Sequence, residues 1–479
     1  MSTGNTKDIL LDNIRTGAPL SLGDRVRLTF FLCGPAILAQ LASVLLEFID
    51  AAMVGSLGAA PAASIGLIST STWLCTGFCM TLAQGFSVQV AHRMGAGDFS
   101  GARQVLRQGL TVVTLFSMLL GLAAAAISGP LPGILGGEEA IRSDASAYFR
   151  IYALFLPSMQ LGYFCSNMLQ CSGEMRVPSA LYILMCILDV IFNFLLIFPT
   201  REISFAGLSF TMPGLGMGVR GAALGTGIAE TLGALAGLYF LLVRRKNLAI
   251  IHEKGSFLPK RDCMKKAWSI TGPLWLQNVV MRGAYVAGTL IVAPLGAVAI
   301  AANSFAIIAE SFCYMPGYGT GDAATTLVGQ SLGAGRKDLA RGFTRVTVSL
   351  GTGMMAALAV VMFFSAEALM GLLSVDPEVV AMGARCLRLE AFAEVGYAIS
   401  IVAGGCCTGA GDTKVPTMMN LGSTWLVRIG LAIFLTPRLG LIGYWIAMCI
   451  ELNVRGLLYL IRISGSRWME HKLVGSAEE

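Results

Sequence analysis

Charge is what this sequence is short of. Only 13% of its 479 residues are Asp, Glu, Lys or Arg, about half the share found in an ordinary soluble domain. A water-facing surface needs more charge than that, a lipid-facing shell does not, and 55% of the chain is hydrophobic. No Gly-x-x-x-x-Gly-Lys-Ser/Thr segment occurs, so the phosphate cradle of a direct ATP-driven pump is missing. The 12 cysteines form no disulfide framework: Cys75, Cys79, Cys165, Cys171, Cys186 and Cys449 fall inside apolar runs, where a free thiol acts as a small hydrophobe. Cys406 and Cys407 are adjacent and have no second pair at metal-site spacing, so structural metal and cofactor chemistry have no support. The first thirty residues hold no apolar stretch of signal-peptide type. A formal charge of +6 could suit nucleic acid, but the Lys and Arg gather in alternating loops and not along one groove, which argues against such a partner.

What the chain does have is a succession of long apolar stretches. Each runs to about 20 residues or more, enough at about 1.5 Å per residue to cross a hydrocarbon layer of roughly 30 Å. The expected spans are 28–50, 62–90, 106–130, 149–171, 180–199, 221–243, 267–292, 298–328, 346–373, 388–410, 417–437 and 440–462. If the N-terminus lies inside, the inside segments with their adjoining span ends hold 24 Lys and Arg and the outside ones seven, which favours both termini in the cytoplasm.

The stretch GPAILAQLASVLLEFIDAAMVGSLG, Gly34 to Gly58, is read as an apolar helix opening at Gly34-Pro35. Its frame recurs at an offset of 238 in the numbering, from Gly272-Pro273 to Leu295-Gly296-Ala297. Gly95-Ala96-Gly97 pairs with Gly333-Ala334-Gly335, and Gly173-Glu174-Met175-Arg176-Val177-Pro178 with Gly411-Asp412-Thr413-Lys414-Val415-Pro416, at the same interval. Separated landmarks in one register mark an internal repeat. Six helices return a chain to its starting side, so the halves are parallel repeats about an axis along the membrane normal. The expected fold is an all-α polytopic membrane protein with twelve transmembrane helices in two six-helix lobes. Its parts are a cytoplasmic tail (1–27), an N-lobe (28–243), an interlobe linker (244–266), a C-lobe (267–462) and a second tail (463–479).

The acids break the symmetry. Asp50 closes the first frame, and Gly288 stands at its counterpart. A carboxylate inside a membrane helix is expensive unless it meets water, an ion or a proton; the plain alternative puts Asp50 at the membrane edge. Glu47, three residues earlier, shares its face, and two carboxylates in one pocket cannot both stay charged cheaply. Asp189 and Asn193 lie four apart on another helix and offer hard oxygen ligands for Na⁺ or a proton relay. In the second half, Glu310, Asn303 and Asp322 share one stretch, and Glu390 and Glu394 another. Arg282 is expected to pair with Glu310 or Glu394, and Glu451 with Arg455 at i,i+4. Glu230 has no visible partner, His92 is read as exposed at a helix end, and Tyr163 and Tyr397 are candidate cavity walls.

The segments FIDAAMVGSLG, VAHRMGAG with LVGQSLGAG, GEMRVP with GDTKVP, and MPGYGTGDAATTLVGQ together resemble the multidrug and toxic compound extrusion family of secondary transporters. The likeness runs from about Gly34 to about Tyr459, and the Met315-to-Gln330 run is similar to the branch of DNA-damage-inducible exporters. The resemblance implies two lobes around a central cavity and export of organic, cationic compounds in exchange for H⁺ or Na⁺. It implies multi-pass residence in the plasma (inner) membrane as a monomer, with membrane lipids and small organic substrates as partners.

It also places a coupling acid at Asp50. Helix five of the family often reads Leu-Asn-x-x-Leu-Asp, whereas here the acid is Asp189 and the amide Asn193, an exchange that leaves the ion-site geometry open. Several members carry a Glu at or beside Met281 or Arg282, and this chain has none there. A second reading is a flippase for a lipid-linked precursor, with Arg282, Arg428 and Arg455 to hold a pyrophosphate. A third is a non-transporting receptor or channel subunit, which leaves acids inside a duplicated frame unexplained.

Overall fold

The computed structural model describes residues 3–205, 208–244, 247–250, 255–471 and 473. Among these, nine helices are long and apolar enough to cross a membrane, or ten if one bent pair is a single span. The first half contains α1 (Thr3–Thr16), α2 (Leu22–Gly55), α3 (Ala59–Gly95), α4 (Phe99–Ile127), a single turn α5 (Leu131–Ile134), α6 (Glu139–Cys171), α7 (Arg176–Ile197) and α8 (Val219–Tyr239). The second half contains α9 (Arg261–Val292), α10 (Ala297–Gly333), α11 (Lys337–Leu373), α12 (Pro377–Glu390), α13 (Glu394–Gly409), α14 (Lys414–Gly422), α15 (Gly430–Leu439) and α16 (Leu441–Ser464). α6 and α16 are long, but charged residues such as Glu451, Arg455 and Arg462 dilute their hydropathy. Part of the interlobe linker, 245–246 and 251–254, lies outside the described residues, as do 472 and 474–479 of the C-terminal tail.

The first long helix does not open at Gly34-Pro35. It begins at Leu22 because Ser21 caps it: the Ser21 side chain accepts from the Asp24 N–H, and the Asp24 carboxylate accepts from the Ser21 N–H. This reciprocal arrangement satisfies two orphan donors, and Pro35 sits inside the helix with one bond forgone. Pro273 lies inside α9 in the same way. Where the repeated loops turn, paired glycines take matching left-handed angles: Gly58 and Gly296 at φ +115° and +92°, Gly97 and Gly335 at +74° and +73°, Gly173 and Gly411 at +87° and +81°. No side chain adopts these angles cheaply, so the landmarks seen in sequence are backbone requirements.

The tenth expected span is broken. α12 and α13 meet at a 59° bend, so Glu390 and Glu394 flank a kink and do not share the face of one straight helix. The eleventh continues through a π-helical segment, Ser423–Ile429, between α14 and α15. Between α7 and α8 the chain forms an antiparallel hairpin, β1 (Pro199–Phe205) with β2 (Leu208–Leu215). Arg201 pins it by lying over the rings of Phe194 and Phe198, 4.3 and 4.0 Å from their centroids. From sequence alone this stretch reads as loop.

The two halves meet along α3 and α10. α2 packs on α10 and α9 packs on α3, the same contact made once in each direction. The interior of the first half is filled with apolar side chains, among them Phe86, Phe164 and Leu106. Trp275 of α9 reaches into it, donating from Nε1 to the Phe78 carbonyl at 3.0 Å and packing on Phe78 and Phe116. α1 docks at the loop end: Leu10, Leu11 and Ile14 join a cluster with Leu28 and Leu32 of α2 and Leu339 and Phe343 of α11. Lys7 pairs with Glu174 at 2.9 Å.

Candidate functional site

α2, α7 and α8 position the first acidic site. Asp189 and Asn193, one turn apart on α7, are both buried. Asn193 Nδ2 donates to Asp50 Oδ1 at 3.0 Å and to Asp189 Oδ2 at 3.1 Å. One amide therefore ties two carboxylates from different helices into a single cluster. Gly225 of α8 makes the approach possible, since a Cβ there would lie 2.1 Å from Asn193 Oδ1. Thr226 borders Asp189, and Tyr148 stands close to both carboxylates. Asp189 Oδ1 and Asn193 Oδ1 are buried without a hydrogen-bond partner. These two orphan oxygens, one of them Asp189's own, with the Asp50 carboxylate form a donor-poor pocket that a proton or a small hard cation would complete. Next to it, Tyr148, Tyr152, Phe155 and Thr226 line a cavity of about 10 Å³, on the order of one water. Glu47 is exposed on α2 and stands near Asp50 without a hydrogen bond to this cluster.

The large cavity, about 340 Å³, is elsewhere. Its walls come from the second half, with Gln84 of α3 the single lining residue from the first among the described residues. Glu310, Asp322 and Tyr397 line it, together with Tyr285, Tyr314, Tyr318, Tyr444, Arg428 and Arg455. This cavity lies on the second half's side, and aromatic and aliphatic side chains fill the first half's interior. Tyr163 packs within that filled interior. Asn303 accepts from Trp445 Nε1 at 3.0 Å, a packing role.

A second acidic group runs from the cavity wall, at Glu310, into the interior behind it. Glu310, Glu390 and Glu394 neighbour one another, with Arg428 close by. Glu390 and Glu394 are fully buried, and all four of their carboxyl oxygens lack a partner. Arg282 pairs with neither Glu310 nor Glu394; it lies over the rings of Trp73 and Tyr285, at 5.4 and 5.8 Å. The cation that meets an acid here is Arg428, whose Nη2 is 2.9 Å from Glu451 Oε2. Arg455 holds the other oxygen of Glu451 at 2.6 Å, as the i,i+4 spacing suggested.

His92 is the clearest misplacement. It is 3% exposed, and its Nε2 is 2.8 Å from the Gly409 carbonyl. Its place at the end of a helix suggested solvent, but the other half of the molecule covers that end. Glu230 faces Gly162 of α6, where a Cβ would lie 3.6 Å from its Oε2. Sequence reading passes over the wall residues Gln84, Tyr314 and Tyr318. No periodicity separates them from core residues, and only the fold gathers them.

The MatE family model matches residues 35–195 and again 273–434. The two matches begin at Pro35 and Pro273, the proline pair of the internal repeat. The chain is 25% identical over 437 residues to a probable multidrug resistance protein NorM of Thermotoga maritima, covering 91% of each chain. It is 25% identical over 465 residues to the multidrug resistance protein PmpM of Pseudomonas aeruginosa, covering 94% of each. Its fold is similar to that of the Vibrio cholerae MATE transporter VcmN, with a TM-score of 0.84 at 17% identity over 98% of this chain and 99% of that one. With the family's pattern present in each half and spanning most of the sequence, this chain belongs to the MatE family.

Proposed function

We propose that the protein is a secondary antiporter that exports organic, drug-like compounds, cationic ones foremost, in exchange for H⁺ or Na⁺ by alternating access. The observation that carries this reading is the Asp50–Asn193–Asp189 cluster, with two buried oxygens left without donors. A cation arriving there removes the repulsion between Asp50 and Asp189 and gives the orphan oxygens a partner. Such binding energy can bias one conformation over another only if the site differs between them. Asp50 on α2 and Asp189 on α7 belong to different helices, so a relative shift of those helices changes the site. Substrate would occupy the cavity bounded by Glu310, Asp322 and Tyr397, where carboxylates attract a cation and tyrosine faces accept its charge.

The same reading takes the chain as twelve spans in two lobes, 28–243 and 267–462, joined by the linker 244–266, with both tails (1–27 and 463–479) cytoplasmic and the protein monomeric in the inner membrane. The Met315-to-Gln330 run supports a place near the DNA-damage-inducible branch. The precursor-flippase alternative requires free guanidinia. Arg428 and Arg455 line the cavity but are committed to Glu451, and Arg282 lies over the rings of Trp73 and Tyr285 and not among the lining residues, which favours drug export.

Efflux of an organic cation from proteoliposomes under separately imposed Na⁺ and proton gradients tests the function. Export driven by one gradient, and lost in Asp50→Asn at equal protein levels, is the expected result. Efflux indifferent to both gradients would overturn it.

A further inference from the structure

The paired motifs VAHRMGAG and LVGQSLGAG, landmarks of the repeat in sequence, are where the halves touch in the structure. A Cβ at Gly95 would lie 1.9 Å from the Gln330 carbonyl oxygen, and one at Gly333 would lie 1.9 Å from that of His92, so α3 and α10 meet backbone to backbone. Beside this crossing, His92 Nε2 is 2.8 Å from the carbonyl of Gly409, and Gln330 Nε2 donates to the carbonyl of Cys171, also at 2.8 Å. His92 and Gln330 are 238 apart, as are Cys171 and Gly409, and Gly95 and Gly333. The two hydrogen bonds are one contact made twice.

Each bond runs between halves. His92 on α3 reaches the last residue of α13, and Gln330 on α10 reaches the last residue of α6. Carbonyls at a helix end lack an intrahelical donor, and among the described residues no backbone N–H serves Cys171 or Gly409. A side chain from the opposite half supplies it. Both side chains are buried. Gln330 Oε1 has no partner, which leaves donation from Nε2 as the polar task of that side chain.

We propose that His92 and Gln330 are paired positioning residues that latch the two halves together at this end of the bundle, and that their bonds open and re-form in each transport cycle. The cycle itself rests on the antiport reading above. When the halves part here, water can satisfy both side chains and both carbonyls, so the latch biases the closed state without trapping it. A net hydrogen bond of ordinary strength changes a closed-to-open ratio by about fivefold. Two together give about 25-fold if independent. The chemistry required is one N–H donor on a side chain of suitable reach. Glutamine and the Nε2–H tautomer of histidine both provide it, so the two residues should be interchangeable and alanine should not replace either.

The test is maleimide labelling of the buried native thiols Cys171 and Cys407 in the full chain in proteoliposomes, read peptide by peptide. His92→Ala and Gln330→Ala should each speed labelling about fivefold, and the double variant by about the product. His92→Gln should stay at the unsubstituted rate. Alanine variants that label no faster, or a His92→Gln protein that labels as fast as His92→Ala, would overturn the latch. If the alanine variants do not fold, the exchange His92→Gln with Gln330→His decides: a folded protein with unchanged labelling and efflux supports the latch, and any other result overturns it. Labelling needs no transported drug, so a chain that moves none under any gradient would sink the antiport reading and leave this measurement intact.

Discussion

The two halves share a frame but place their acids at different points of it. In the first half, Asp50, Asp189 and Asn193 meet; their counterparts in the repeat are Gly288, Val427 and Leu431. A Cβ at Gly288 would lie 2.4 Å from the Tyr444 hydroxyl, so a tyrosine fills the space an acid would need. In the second half, Glu310, Glu390 and Glu394 cluster; their counterparts are Thr72, Tyr152 and Leu156. There the Tyr152 hydroxyl donates to the Thr72 carbonyl at 2.9 Å and lies 2.6 Å from Thr76 Oγ1, a neutral and satisfied arrangement. Each half is apolar or neutral where the other is acidic. The repeat preserves what the backbone needs, and the chemistry is free to differ because a buried carboxylate requires local partners that a duplicated fold does not supply.

The clusters also differ in how they are held. The first is tied by one amide, whereas the second leaves Glu390 and Glu394 bare beside an ion-paired neighbour in which Arg428 and Arg455 share the carboxylate of Glu451. The largest effect should come from that neighbour. Glu451→Gln leaves two largely buried guanidinia sharing a neutral group, and removing one partner of a buried ion pair costs about 3–5 kcal/mol. Thermal unfolding in detergent should show a clear drop, and an unchanged midpoint would mean the guanidinia are solvated.

Next in size is the first cluster. Asp189→Asn keeps the shape and removes a charge, and cation-driven efflux should fall by about five- to hundredfold, the usual span of coupling between sites, while the fold persists. Normal coupled efflux in this variant would take Asp189 out of the ion site. Smaller still, Glu390→Gln should change stability by less than about 1 kcal/mol, because no native hydrogen bond is lost, and should alter efflux only a few-fold. If it abolished efflux as Asp189→Asn does, the two acidic groups would be equals and the contrast between them would collapse. Least of all, Glu47→Gln should leave efflux within about twofold, since Glu47 holds no hydrogen bond to the cluster that the substitution could break. A large loss in that variant would place Glu47 in the coupling step.

Much of this was legible before the fold. The repeat interval, the positive-φ glycines behind it and the residue types of the first cluster follow from local rules: glycine where the backbone turns left-handed, and carboxylates kept out of lipid unless they have a task. Helix starts were less legible, since Ser21 with Asp24 overrides the break suggested by Pro35. The hairpin after α7 escaped because its strands are short and lie beside two strongly helical runs.

By itself the sequence determined that the chain is duplicated, membrane-spanning and provided with a few costly acids, because composition and spacing act along the chain. Only the tertiary structure decided that Asn193 bridges Asp50 and Asp189, that Arg428 and not Arg282 pairs with an acid, Glu451, and that His92 is buried against Gly409. Those outcomes depend on which helices touch. Contact between helices is set by the summed packing of their faces, a property that no short stretch of residues carries.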